Sequence, residues 1–288
     1  MSKLYINISR PRKEFKQSLG QANHFLVTAL IGLDYIRNNE VSCPESFSTT
    51  WNPKNKEASV QRTRQYILNS SLAWTIDCLD VYLAKCNREP KLIENEEIIR
   101  LFDGTHRSVN EKFQTLTEFI EKSINDVSGF NIYKSISGLA IQWRNNTMHS
   151  NASNELEQKY RKILLDSAKK IKEIFCGLDI EQSLHRFDEY QPPTFKEVTS
   201  MIRGVHNLVE MIDRCMLSQM DIYDYAHKII NRHLKDNGIH PSFILSLSAP
   251  RRASKFINIL KNYSFSEKLQ DDALYIDIDE LLTLWAKL

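Results

Sequence analysis

The chain has 288 residues, 42% of them hydrophobic, with 38 Lys and Arg against 36 Asp and Glu, a formal charge of +2 and an isoelectric point near 8.2. There is enough apolar sequence for one large or two small domains. The weak positive charge argues against a constitutive duplex-DNA binder, which carries a denser basic stripe, and permits transient contact with RNA. Only 8 Gly and 8 Pro, among long stretches of Lys, Glu, Leu, Ile and Ala, argue against a turn-rich β architecture and for an all-α fold.

In chain order, the first amphipathic helix spans Glu14 to Arg37, with Phe15, Leu19, Ala22, Phe25, Leu26, Ala29, Leu30, Leu33 and Ile36 as its apolar face. Residues 38 to 56, with Asn38-Asn39, Pro44, Trp51 and Pro53, form a long connecting loop. A second long helix, Glu57 to Asn87, offers Tyr66, Leu68, Leu72, Ala73, Ile76, Leu79, Val81 and Leu83 for more than one buried face. A short helix at Glu96 to Phe102 follows, and Ser108 with Glu111 has the spacing of a capping box for a helix reaching Ile124. Ile132 to about His149 is an amphipathic helix on the stripe Ile132, Ile136, Leu139, Ala140 and Trp143, and Asn154 to Phe175 is another that Gly177 ends. Pro192-Pro193 marks residues 178–193 as a linker between a bundle at 1–177 and a helical C-terminal region at 194–288. That region holds helices at Thr194 to Ser218, Asp221 to Lys235, Ser242 to Tyr263 and Ile278 to Lys287, and short strand-like pieces are tolerable near Tyr5 to Ile8 and Tyr275 to Ile278.

The segment Trp143-Arg144-Asn145-Asn146-Thr147-Met148-His149 puts an always-charged guanidinium near a titratable imidazole. Arginine offers phosphate a fixed fork of donors, and histidine accepts and donates protons near neutrality, so the pairing suits phosphodiester chemistry. A second Arg-to-His spacing, Arg100 to His106, is broken by Gly104, has Leu101 where a polar residue is needed, and passes through the turn signal Asp103-Gly104. At about 100° per residue Asn145 and His149 share a helix face, whereas Arg144 and His149 diverge by roughly 140°. Two copies facing one another across a two-fold axis converge better than one.

Arg-Asn-x-x-x-His inside a helical protein resembles the signature of HEPN-domain ribonucleases. The resemblance implies an antiparallel HEPN-like helical bundle with additional C-terminal helices, and a homodimer with a composite site. It further implies metal-independent cleavage of RNA by 2′-hydroxyl attack, leaving 2′,3′-cyclic phosphate and 5′-hydroxyl ends. His149 would be the acid or base, Arg144 the group that neutralises charge at phosphorus, and Asn145 a positioning donor. Asp77 and Asp80, on the second helix, are candidates for the extra polar residue that orients the catalytic groups. A toxin or antiviral-defence setting, with an antitoxin or regulatory partner, goes with that family. The competing expectation is a non-catalytic HEPN-like interaction or adaptor module.

Other constellations carry less. No Gly-rich phosphate loop occurs, so neither P-loop hydrolysis nor dinucleotide chemistry is supported and no cofactor is expected. Cys43, Cys78, Cys86, Cys176 and Cys215 are odd in number and scattered, which suggests reduced thiols and no zinc site. His227 and His233 cannot share one face as ligands, and the acidic group Asp271, Asp272, Asp277, Asp279 and Glu280 lacks the glycine of a calcium loop. Arg251-Arg252 with Lys255 fits a solvated surface better than a phosphate site. With no apolar leader and no run long enough to span a bilayer, the expectation is a cytoplasmic protein without a membrane partner.

Overall fold

The computed structural model describes residues 3–103, 108–148, 154–269 and 271–285. The protein is mostly helical, with two short strands among the described residues. The helices are α1 (Arg10–Asn38), α2 (Lys56–Cys86), α3 (Glu96–Asp103), α4 (Val109–Glu121), α5 (Val127–Met148), α6 (Gln158–Asp166), α7 (Ala168–Ile174), α8 (Ile180–Asp188), α9 (Phe195–Ser218), α10 (Ile222–Asp236), α11 (Pro241–Ser246), α12 (Ala249–Lys261) and α13 (Ile278–Trp285). Strands β1 (Lys3–Ile6) and β2 (Leu274–Asp277) pair antiparallel with Leu4 opposite Ile276. No helix among the described residues is long and apolar enough to cross a membrane.

Several boundaries follow from local chemistry. The Ser108 hydroxyl accepts from the Glu111 N–H at 3.3 Å while the Glu111 carboxylate accepts from the Ser108 N–H at 2.7 Å, the reciprocal cap that starts α4. After α7 the chain takes positive φ at Cys176 and Gly177, and the Gly177 N–H returns to the Lys172 carbonyl at 2.7 Å. That satisfies a carbonyl the helix end leaves open, as Gly177 predicts. Two expected helices are each split. The Asn154–Phe175 segment breaks at Ser167 into α6 and α7, and Ser242–Tyr263 breaks at Leu247 into α11 and α12, where Pro250 at the start of α12 lacks the N–H needed to continue a helix.

The chain divides otherwise than at the expected 178–193 linker. Two compact units interleave along the sequence, one made of residues 1–15, 80–125 and 209–288, the other of 16–79 and 126–208. Residues 180–188 form α8 of the second unit, capped by the Asp179 carboxylate and burying Ile180, Ser183, Leu184 and Phe187. Those four lie at i, i+3, i+4 and i+7, a core-facing stripe. That helix ends at Asp188, followed by Tyr190 at positive φ, and Pro192-Pro193 precede α9.

In the first unit Leu4 and Ile6 of β1 point inward and Tyr5 outward beside Tyr275, while Tyr82, Phe113, Tyr225, Ile229, Phe256 and Leu260 are buried. The fully buried Asp213 accepts from the Ser9 N–H at 3.0 Å and from the Ser9 hydroxyl, and the Arg12 guanidinium lies 3.9 Å away. Burial pushes the Asp213 carboxyl up to about 6 despite the lowering by Ser9 and Arg12.

In the second unit α5 is buried on every side from Phe130 to Trp143, apart from the half-buried Asn131 and Tyr133. This replaces the expected single stripe. Small residues allow it: a Cβ placed on Gly138 would sit 3.0 Å from the Tyr160 ring, and one on Gly204 of α9 would sit 2.5 Å from Ile136 Cγ2. Trp143 closes the buried stretch, its indole N–H donating to the Gln191 carbonyl at 3.0 Å and its ring meeting Phe187 edge-on at 5.7 Å. Three residues expected on apolar faces are exposed instead: Phe25, Tyr66 and Val81. Periodicity identified apolar positions on α1 and α2 but not which of them a neighbour would cover.

Candidate functional site

The site lies in the second unit, where α5 leaves its core. Trp143 is 1% exposed, and Arg144, Asn145, Asn146 and Thr147 behind it are half-buried. A rigid, packed helix therefore presents a polar last turn at the surface.

Arg144 Nη1 donates to Asn145 Oδ1 at 3.0 Å, and Nη2 donates to Asp77 Oδ1 on α2, also at 3.0 Å. The arginine side chain is 21% exposed and the aspartate 67%. Among the described residues these two bonds leave further N–H donors of the five-donor fork open to an anion. The guanidinium is thus held from two sides. Such a pair at the surface is worth about 0–1 kcal/mol, too little to explain the arrangement as a device for stability.

Asn146 does something different. Its Nδ2 donates to the Asn154 carbonyl at 3.0 Å and its Oδ1 accepts from the Asn154 N–H at 2.8 Å, so one side-chain amide pins the chain on both sides of residues 149–153. Thr147 Oγ1 donates to the Arg144 carbonyl at 3.1 Å, one turn back in the same helix.

The sequence candidates therefore separate. Arg144, Asn145 and Asp77 are brought together. Asp77 is an exposed carboxylate. Asp80 pairs with Lys112 of α4 within the first unit. His149 lies outside the described residues, as does His106. Arg100 lies 3.6 Å from Glu96, both highly exposed. Arg252 donates to the carbonyls of Leu245 and Leu247 at 2.8 and 3.2 Å and so caps the end of α11, where a solvated surface was expected of that basic group. The Asn146 clamp has no spacing signature, because its partner is a backbone group eight residues on.

Among the described residues no cluster of three or more His, Cys, Asp or Glu is placed to hold a metal ion, and the five cysteines are free. Comparison of the chain with protein-family models, with curated proteins and with solved structures finds no match. The functional reading rests on the residues of the site and on the motif they form.

Proposed function

We propose that the protein is a metal-independent endoribonuclease of the HEPN type. The observation that carries this reading is Arg144, set at the exposed end of a buried helix and aimed by Asn145 and Asp77 without being consumed by either. In the proposed reaction the ribose 2′-hydroxyl attacks the adjacent phosphorus in line, which single-stranded or loop RNA allows because its backbone can splay. His149 takes the 2′ proton or supplies one to the departing 5′ oxygen, and Arg144 neutralises charge accumulating on the phosphoryl oxygens. Asn145 and Asp77 act as positioning residues. The products are a 2′,3′-cyclic phosphate and a 5′-hydroxyl.

The proposed active form is a homodimer in which two copies of α5 approach a two-fold axis. Support comes from α1 in the same unit, where Val27, Ile31 and Tyr35, spaced four residues apart on one side of the helix, are exposed. The same surface would suit a neutralising antitoxin or regulatory partner in a toxin or defence setting. It also favours the second reading, a helical adaptor without catalysis.

The deciding experiment is incubation of the purified protein with mixed RNA in EDTA, followed by end-group analysis. The expected result is fragments with cyclic phosphate and 5′-hydroxyl ends, lost in His149→Ala and Arg144→Ala by roughly 10²- to 10⁴-fold. Equal cleavage by wild type and both variants would sink the enzyme reading and leave the adaptor.

A further inference from the structure

The outer face of α2 is unusual in composition. Arg62, Tyr66, Trp74 and Asp77 are all exposed, Tyr66 by 72% and Trp74 by 50%. At about 100° per residue they fall within roughly 120° of one another around the helix, and at 1.5 Å per residue they extend over about 22 Å. Arg62 has no ion-pair partner among the described residues. At the other end Asp77 holds Arg144. Between the two cations stand two aromatic rings, with the half-buried Asn69, Ser70 and Ala73 beside them.

Trp74 is also fixed. Its indole N–H donates to the Ser18 carbonyl of α1 at 3.4 Å, so the ring is tethered by its polar edge while half its surface faces solvent. A large apolar ring held exposed beside an oriented guanidinium is poorly explained as core packing. A protein-binding face would add aliphatic side chains, as α1 does with Val27 and Ile31. The α2 face instead runs from the cation Arg62 through two rings to Asp77 and the guanidinium it holds, with one exposed aliphatic side chain, Val81, a turn further on. Cations flanking π surfaces are how single-stranded nucleic acid is held, since every base has a face to stack and every nucleotide a phosphate to neutralise.

We infer that this face of α2 is a binding track for single-stranded RNA, in which Tyr66 and Trp74 stack bases and Arg62 and Arg144 hold the flanking phosphates. The track rests on the ribonuclease reading for its substrate and extends it. It fixes where the strand enters and predicts single-strand selectivity, because bases paired in a duplex do not offer their faces.

The test uses the full chain and a 2′-O-methyl RNA 12-mer, which cannot be cleaved by its own 2′-oxygen, so that binding is read apart from catalysis. Adding the 12-mer should quench tryptophan fluorescence, and the quench should disappear in Trp74→Phe while most of the affinity remains, because phenylalanine still stacks. Trp74→Ala and Tyr66→Ala should each weaken binding by roughly 5- to 100-fold. Arg62→Ala should lower the slope of log affinity against log salt by about 0.7. A duplex of the same length should bind wild type no better than it binds Trp74→Ala. If Trp74→Ala, folded by circular dichroism, binds the 12-mer like wild type, the track is overturned. It is equally overturned if that variant changes the oligomeric state and leaves the affinity untouched, since the face is then a protein contact. Binding that depends on the track, in a protein that cleaves no RNA, would uphold this inference and remove the ribonuclease reading. Cleavage unaffected in KM by either aromatic substitution would do the reverse.

Discussion

At the scale of single residues, the two acids on α2 are three positions apart and have different partners among the described residues: Asp77 pairs with Arg144 and Asp80 with Lys112. Asp77→Ala should therefore reduce RNA cleavage while Asp80→Ala leaves it unchanged, measured as initial rates on one labelled RNA. The melting temperature of Asp77→Ala should not move by more than the few degrees that about 1 kcal/mol of surface pairing allows. Equal effects of the two substitutions would show that the Asp77 contact positions nothing. Asp213 belongs to a different account. Its carboxyl is raised from 3.8 to about 6, so the folded chain holds this proton more tightly than the unfolded chain. The resulting contribution, of order 3 kcal/mol, is fully present below about pH 4 and is lost as pH rises through 6. Glu14 works with the opposite sign: partial burial pushes its carboxyl up, but hydrogen bonds from Lys85 and Arg10 bring it below its ordinary value, so its stabilisation is lost in acid. The measurement that isolates Asp213 is urea unfolding of wild type and Asp213→Asn between pH 4 and 7. The difference between their stabilities should slope across that window and flatten above it, and a constant difference would contradict the shift.

At the scale of elements, α5 is held where α9 and α6 come close enough to leave no room for a side chain. Gly204→Ala places a methyl 2.5 Å from Ile136 Cγ2, and Ile136 is itself 1% exposed and cannot swing away. Overpacking of this sort costs about 1–3 kcal/mol, against at most about 1 kcal/mol that alanine recovers in helix propensity. The expected outcome is a net loss of stability in denaturant, whereas Gly20→Ala on α1, where nothing lies within 4 Å, should stabilise by up to about 1 kcal/mol. A stabilised Gly204→Ala would mean that the helices are looser than their packing implies. The capping box of α4 was legible from Ser108 and Glu111 alone, because both partners lie within one turn. The break at Leu247 had a local signal in Pro250, at the start of α12, whereas the break at Ser167 had none, since no proline or glycine stands there.

At the scale of the whole molecule, the proposed two-copy site makes a prediction of assembly. Light scattering at micromolar concentration should report a dimer, and Ile31→Asp on the exposed face of α1 should yield monomers that keep their helical circular dichroism but lose cleavage. A wild-type monomer with full activity would require Arg144 and His149 of one chain to work together. Activity should survive EDTA, and an EDTA-sensitive reaction would point to chemistry beyond these residues.

The sequence by itself determined the helical class, most helix positions and the motif, because apolar period, caps and the chemistry of Arg, Asn and His are all local properties. It also placed Arg144 and Asn145 at the end of a core helix, through the stripe that leads to Trp143. Only the tertiary structure decided which acid meets Arg144, that α8 occupies the proposed linker, and that the units interleave along the chain. It likewise decided that Tyr66, Trp74 and Phe25 face solvent. The physical reason is the same in each case. An apolar or charged side chain states what it needs, burial or a partner, but which surface meets that need depends on residues tens of positions away, and a helix with more apolar positions than neighbours leaves some of them exposed.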